Sequence, residues 1–273
     1  SVLLGQKREV AEPLVQHPDV ETLAFTGSVA IGKRIAATAG YKKLVLELGG
    51  NDPLIILNDA DLDLAVTLAA EGSYRNSGQR CTAVKRILVE DGIAAKFTAR
   101  FVEKTKEYVC GDPMDEVTRV GTVIDEAAAI QLETVLREAV TAGARIVMGG
   151  ERRGALLQPT VITDVPRDCR MVVCESFGPL APIITVRDLD DALTLANATA
   201  YGLSSGVVTT SLPSALKAIK TLRCGTVNIN DVPGFRVECS PFGGIKDSGL
   251  GIKEGVIEAI KAYSYVKTFS LPW

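Results

Sequence analysis

The run Leu44-Val45-Leu46-Glu47-Leu48-Gly49-Gly50-Asn51-Asp52-Pro53-Leu54-Ile55-Ile56-Leu57 decides how the chain is read. Residues 44–48 and 53–57 are short, β-prone apolar runs, and the glycine pair interrupts them, so two strands are expected with a break at Gly49-Gly50. Upstream lies a similar run at 23–26, with helical spacing from about 30 to 39 between the two. A further helix is expected from about 62 to 73. Strand, helix, strand is the unit from which largely parallel sheets are built, so the fold class is α/β.

The alternation continues outward. Ile93, Phe97, Phe101 and Val109 fall near helical spacing, as do Ile130, Leu136, Ala139 and Val140 before a C-terminal cap at Gly143, and both stripes are read as core faces. Strands are expected at 145–148, 161–163, 180–186, 205–209 and 226–230, with Asp188 capping a helix over 189–198. After the glycine-dense stretch 242–251, a helix over about 253–262 leads to a terminal strand over 265–271 that wants a partner. The chain opens on Ser1-Val2-Leu3-Leu4-Gly5, a strand-like run and a glycine turn, which suggests that sequence precedes it.

Bulk properties exclude several classes. A 47% apolar composition supplies a buried core, so the chain is globular. A net charge of −3 without like-charge runs leaves no footprint for nucleic acid or an anionic membrane. Cys81, Cys110, Cys169, Cys174, Cys224 and Cys239 contain no C-x-x-C pair, and His17 is the sole histidine, so no metal is expected and a reducing cytoplasm fits. No run approaches the roughly 20 apolar residues of a membrane span, and the start lacks the pattern of a signal peptide.

Four stretches can carry chemistry. Cys81, in Asn76-Ser77-Gly78-Gln79-Arg80-Cys81-Thr82, follows a glycine turn and a cation that would favour its thiolate, although a buried structural thiol fits as well. Glu47 ends an apolar strand, where α/β sheets place functional groups; desolvation would raise its pKa toward that of a general base, whereas a helix cap or salt bridge would make it structural. Phe25-Thr26-Gly27-Ser28 runs from strand to helix, with Gly32 beyond, and its free N–H groups suit a pyrophosphate, but the G-x-G-x-x-G fingerprint is missing. Glu175-Ser176-Phe177-Gly178-Pro179 offers a carboxylate for a ribose and an aromatic face for a flat ring, or forms a plain turn.

Together, and in this order, these stretches resemble the aldehyde dehydrogenase superfamily, joined by Pro241-Phe242-Gly243-Gly244-Ile245-Lys246 and Gly249-Leu250-Gly251. The resemblance implies an aldehyde dehydrogenase-like fold. Residues 1–48 would be the C-terminal remnant of a Rossmann-type NAD(P)-binding domain, 49–245 the α/β catalytic domain, and 246–273 a returning helix and oligomerisation strand. It implies Cys81 as nucleophile, its backbone N–H holding part of the oxyanion, and Glu47 as the base that hydrolyses the thioester. Gly27 and Ser28 would lie at the pyrophosphate of NAD or NADP, Leu48 near the nicotinamide carboxamide, Glu175 on the nicotinamide ribose and Phe177 beside the nicotinamide. The family's oxyanion-hole asparagine and adenosine-ribose residues would precede Ser1, so the isolated chain is expected to be inactive and poorly soluble, and the full-length enzyme a homo-dimer or tetramer.

Arg80 and Arg236 bear on the substrate. In this family their stretches border the substrate tunnel, and two guanidiniums there would favour a small anionic aldehyde, unless each pairs with a surface carboxylate. Residues 80–86 and 235–242 are most similar to phosphonoacetaldehyde dehydrogenases. Non-phosphorylating glyceraldehyde-3-phosphate, lactaldehyde and succinate-semialdehyde dehydrogenases are alternatives, as are a catalytically silent structural relative, which Cys81 and Glu47 disfavour, and a CoA-acylating one, which Glu47 disfavours.

Overall fold

A computed structural model describes residues 1–5, 8–251 and 254–273. Its first elements are helix α1 (Arg8–Gln16), strand β1 (Thr22–Thr26), helix α2 (Val29–Thr38) and strand β2 (Lys43–Glu47). β1 and β2 pair in parallel, from Thr22 with Lys43 to Thr26 with Glu47, and form a two-stranded sheet of their own. α1 has no counterpart in the sequence reading, since nine residues with Pro13 inside make too short a stripe for periodicity to register. Val2, Leu3 and Leu4, read as strand-like, are exposed and enter no ladder among the described residues.

The second layer follows in the order β3 (Pro53–Ile56), α3 (Leu62–Tyr74), β4 (Arg86–Glu90), α4 (Asp91–Thr105), α5 (Glu126–Thr141), β5 (Arg145–Met148), β6 (Arg152–Arg153), β7 (Leu156–Leu157), β8 (Thr160–Thr163), α6 (Arg170–Val173), β9 (Leu180–Val186), α7 (Leu189–Asn197), β10 (Ser204–Val208), α8 (Leu212–Thr221) and β11 (Thr226–Ile229). Its seven-stranded sheet has the order β11-β10-β3-β4-β9-β8-β5. All neighbours are parallel except β5, which runs antiparallel at one edge. β6 and β7 form a separate small hairpin.

Side chains of β3 alternate between the two faces of this sheet. Leu54 and Ile56 pack with Val66 of α3 and Phe97 and Phe101 of α4, while Ile55 and Leu57 pack with Leu136 of α5, Leu193 of α7 and Ala218 of α8. Burial on both faces is why the strands read as continuous apolar runs. Each such Leu, Ile or Phe contributes about 1.5–3 kcal/mol, enough to fix the strand ends that carry the site.

Caps behave largely as read: Asp188 accepts from the Asp191 N–H, and Gly143, at φ +114°, follows the C-cap of α5. The helical stripes are narrower than read, because Val109 lies beyond α4 and is exposed, as are Ile130 and Val140. Helix α9 spans Val256–Ala262, and the start expected near Lys253 lies outside the described residues. Residues 265–271 form no strand here; Tyr265, Val266 and Phe269 are exposed, and a β-prone segment has no ladder without a neighbouring edge. No described helix is long and apolar enough to cross a membrane.

Candidate active site

The end of β2 is where distant parts of the chain meet. Glu47, 6% exposed, bridges to Gly249, and the Leu48 N–H donates to the Ser248 carbonyl at 2.9 Å, which draws the glycine-dense segment under the strand end. Gly49 and Gly50 serve close approach rather than a left-handed turn. A Cβ at 49 would lie 2.2 Å from a Glu175 carboxylate oxygen, and one at 50 would lie 2.6 Å from the Cys81 carbonyl oxygen. The glycine pair thus lets the end of β2 rest against both the Cys81 peptide and Glu175.

Cys81 is delivered by a strained loop. α3 ends at the fully buried Tyr74, and Asn76 and Ser77 then adopt left-handed backbone at φ 55° each, followed by Gly78 at 71°. Such conformations cost non-glycine residues roughly 1–2 kcal/mol apiece and persist only where surroundings enforce them. Here Ser77 Oγ donates to the Gly121 carbonyl at 3.0 Å and the Asn76 amide to the Gln79 carbonyl at 3.1 Å. The loop opens Cys81 onto a cavity of about 560 Å³ that is also lined by Glu47, Leu48, Arg75, Arg80 and Arg236.

Behind Cys81 sits Lys85, its side chain 2% exposed. Its ammonium donates to the Arg80 and Cys81 carbonyls at 2.8 and 2.7 Å and lies 3.5 Å from Glu175 Oε1. Glu175 Oε1 also accepts from the Gly50 N–H at 3.1 Å. Burial pushes the Cys81 thiol up; the Lys85 charge and a hydrogen bond from the Thr82 amide pull it down, while Asp52 and Glu175 push it further up. The sequence reading of a thiolate favoured by Arg80 is therefore corrected: desolvation wins, and the cation that opposes it is Lys85. Burial likewise raises Glu175 against the pull of Lys85, and lowers Lys85 against the pull of Glu175 and Asp52. Asp52, fully buried beside Lys85 and Arg86, is raised by desolvation to about 7.

Not every residue named from sequence reaches the cavity. Gly27, Ser28, Glu175 and Phe177 lie outside its lining. Ser28 is the N-cap of α2 and makes no cap hydrogen bond with its side chain, while the Gly27 N–H donates to the Glu47 carbonyl at 3.1 Å. Phe177 is 46% exposed with its ring centroid 5.9 Å from the Lys85 ammonium, so Lys85 joins the Glu175–Phe177 turn to Cys81.

Both arginines line the cavity but are already engaged. Arg80 Nη2 donates to the Glu71 and Gly72 carbonyls at 3.2 and 2.8 Å, and its Nε to the Arg75 carbonyl at 3.3 Å, closing the C-terminal end of α3. Arg236 pairs with Glu254 at 2.6 Å and stacks its guanidinium 4.4 Å from the Phe242 ring centroid. Sequence reasoning missed Lys85, Asp52 and Arg75. The available signal was Lys85-Arg86, two cations at the mouth of an apolar strand, which demand buried acceptors.

A cysteine and a carboxylate facing one cavity, the carboxylate at the end of β2 and the cysteine on the loop before β4, match the comparison with known families: the aldehyde dehydrogenase family profile covers residues 1–269, and the chain belongs to that family. It is 43% identical over 252 residues to a sulfoacetaldehyde dehydrogenase of Neptuniibacter caesariensis, covering 92% of this chain and 55% of that protein. It is 40% identical over 268 residues to a lactaldehyde dehydrogenase of Methanococcus aeolicus, covering 98% and 57%. Among solved structures, the glyceraldehyde-3-phosphate dehydrogenase GapN of Methanocaldococcus jannaschii, complexed with NADP, superposes with a TM-score of 0.91 at 41% identity, covering 94% of this chain and 56% of that one. The chain thus spans about half the length of the relatives it matches.

Proposed function

We propose that the protein carrying this chain oxidises a small anionic aldehyde to its carboxylic acid through a thioester on Cys81. The observation that carries the reading is the shared cavity of Cys81 and Glu47. The Cys81 thiolate attacks the aldehyde carbon, and the Cys81 backbone N–H holds part of the resulting oxyanion. NAD or NADP, when bound, would supply the acceptor for the hydride that the tetrahedral adduct must lose to become a thioester on Cys81. Glu47 then takes a proton from water, the hydroxide attacks the thioester carbon, and the sulfur departs as thiolate.

The residues present fit a dinucleotide. The start of α2 at Gly27-Ser28, with the Ser28 hydroxyl making no cap bond, suits a pyrophosphate. Glu175 would accept from ribose hydroxyls, the half-exposed Phe177 ring would lie beside the nicotinamide, and Leu48 near its carboxamide. The change from the two-stranded to the seven-stranded sheet across Gly49-Gly50 supports a domain boundary there. Residues 1–48 then belong with the cofactor domain, 49–245 with the catalytic domain and 246–273 with a returning helix and oligomerisation segment. The exposed apolar run at 265–271 favours a homo-oligomer, and six free thiols suit the cytoplasm.

Three arginines at the cavity favour an oxyanion on the substrate, a sulfonate, phosphonate or phosphate. The named substrates of the sulfoacetaldehyde and glyceraldehyde-3-phosphate enzymes carry such a group, whereas lactaldehyde does not. The test is a panel of sulfoacetaldehyde, phosphonoacetaldehyde, glyceraldehyde 3-phosphate, succinate semialdehyde and propanal with the full-length enzyme. The reading expects a preference for the anionic members, no turnover in Cys81→Ala, and in Glu47→Gln a burst of reduced cofactor without steady turnover. Turnover that requires CoA, or equal rates on propanal and the anions, overturns it.

A further inference from the structure

We infer that Arg75 is the residue that selects the anionic group of the substrate, an inference that rests on the anionic-aldehyde reading and deepens it. Arg75 is the first residue past α3, ahead of the left-handed Asn76 and Ser77, and it lines the cavity with Cys81. Its side chain is exposed and makes no hydrogen bond or ion pair among the described residues. The other two cavity arginines are committed elsewhere: Arg236 to Glu254 and the Phe242 ring, Arg80 to three carbonyls at the end of α3. Within the lining, Glu254 pairs with Arg236, and Arg75 and Arg80 are the other two cations.

The two cations are also held near each other. Arg80 Nε donates to the Arg75 carbonyl at 3.3 Å, so the backbone that carries one guanidinium is tied to the other. The Arg75 charge depresses the Arg80 guanidinium, second only to burial as a cause. Like charges kept together beside a nucleophile lose that repulsion when an oxyanion lies between them, and a guanidinium fork meets sulfonate, phosphonate or carboxylate oxygens through paired hydrogen bonds. Sulfur, phosphorus and carbon oxyanions share this chemistry.

The experiment measures kcat/KM of the full-length enzyme and its Arg75→Leu and Arg75→Lys variants on sulfoacetaldehyde, phosphonoacetaldehyde, succinate semialdehyde and propanal. A charge-assisted hydrogen bond lost to leucine should lower kcat/KM for the anionic aldehydes about 10- to 100-fold, with propanal changed less than about threefold and Arg75→Lys in between. Because the side chain has no partner among the described residues, melting temperatures should stay within about 2 °C, which excludes misfolding as the cause. A wild type that prefers anions while Arg75→Leu leaves that preference intact, or lowers all four substrates alike, overturns the assignment of Arg75 alone. A wild type without any preference overturns the anionic reading itself. The relative losses on the sulfonate, phosphonate and carboxylate identify which oxyanion the residue grips.

Discussion

Removing Lys85 is the sharpest perturbation of the region behind Cys81. At 3.5 Å its ammonium and the Glu175 carboxylate attract by about 5 kcal/mol at an effective dielectric of 20, yet burial moves both groups toward their neutral forms. Desolvation therefore outweighs pairing for each partner, and the pair as a whole adds little net stability. Taking away one member is different, because the other charge stays buried together with the Arg80 and Cys81 carbonyls that Lys85 satisfies. Lys85→Met should cost about 3–5 kcal/mol, while Lys85→Met with Glu175→Gln should cost less than the sum of the two single changes by at least about 1 kcal/mol. The assay is urea denaturation followed by far-UV circular dichroism, with all four proteins at one pH. Additive losses, or a Lys85→Met loss under about 1 kcal/mol, would refute the idea that these charges compensate each other across the Cys81 peptide.

Three further outcomes are expected. Lys85 is a cation that holds the Cys81 thiol down against burial, so the pH profile of iodoacetamide alkylation at Cys81 should move to higher pH in Lys85→Met, and an unchanged profile by peptide mass spectrometry would remove Lys85 from the thiol's environment. Asp52 is raised from 3.8 to about 7, so the folded state holds a proton that the unfolded state releases, and its contribution is present below about pH 4 and lost as pH rises through 7. Over that window Asp52→Asn should gain about 4 kcal/mol relative to wild type, read as the difference in denaturation free energy between pH 4 and pH 8, and a constant difference would contradict the buried carboxyl. Gly50→Ala places a methyl 2.6 Å from the Cys81 carbonyl oxygen, so a loss of about 1–3 kcal/mol is expected together with slower alkylation of Cys81; wild-type stability and reactivity would mean the loop has room.

The strand–helix–strand unit, the strands of the seven-stranded sheet other than β4, and the caps at Asp188 and Gly143 were legible in sequence because they rest on local periodicity and local backbone chemistry, whereas β4 (Arg86–Glu90) and the separate β6–β7 hairpin were not read. The order of the motifs around Glu47, Cys81 and Glu175 was legible for the same reason, each being a short contiguous word. What failed was also local in origin: α1 is too short for its period to register, and residues 265–271 have strand propensity but no neighbouring edge.

Which charges face which was decided only by the tertiary structure. Nothing adjacent to Lys85 in the chain marks it as the cation behind Cys81, because its distant partner, Glu175, arrives through the β4–β9 pairing and the close approach permitted at Gly49 and Gly50. Arg80 and Arg236 carry the residue type that sequence reasoning looks for, but the fold commits them to helix-end carbonyls and to Glu254, leaving Arg75 without a side-chain partner among the described residues. A sequence fixes residue types and their local periods, whereas electrostatic roles depend on distances across the chain and on desolvation, which exist only once the layers have packed.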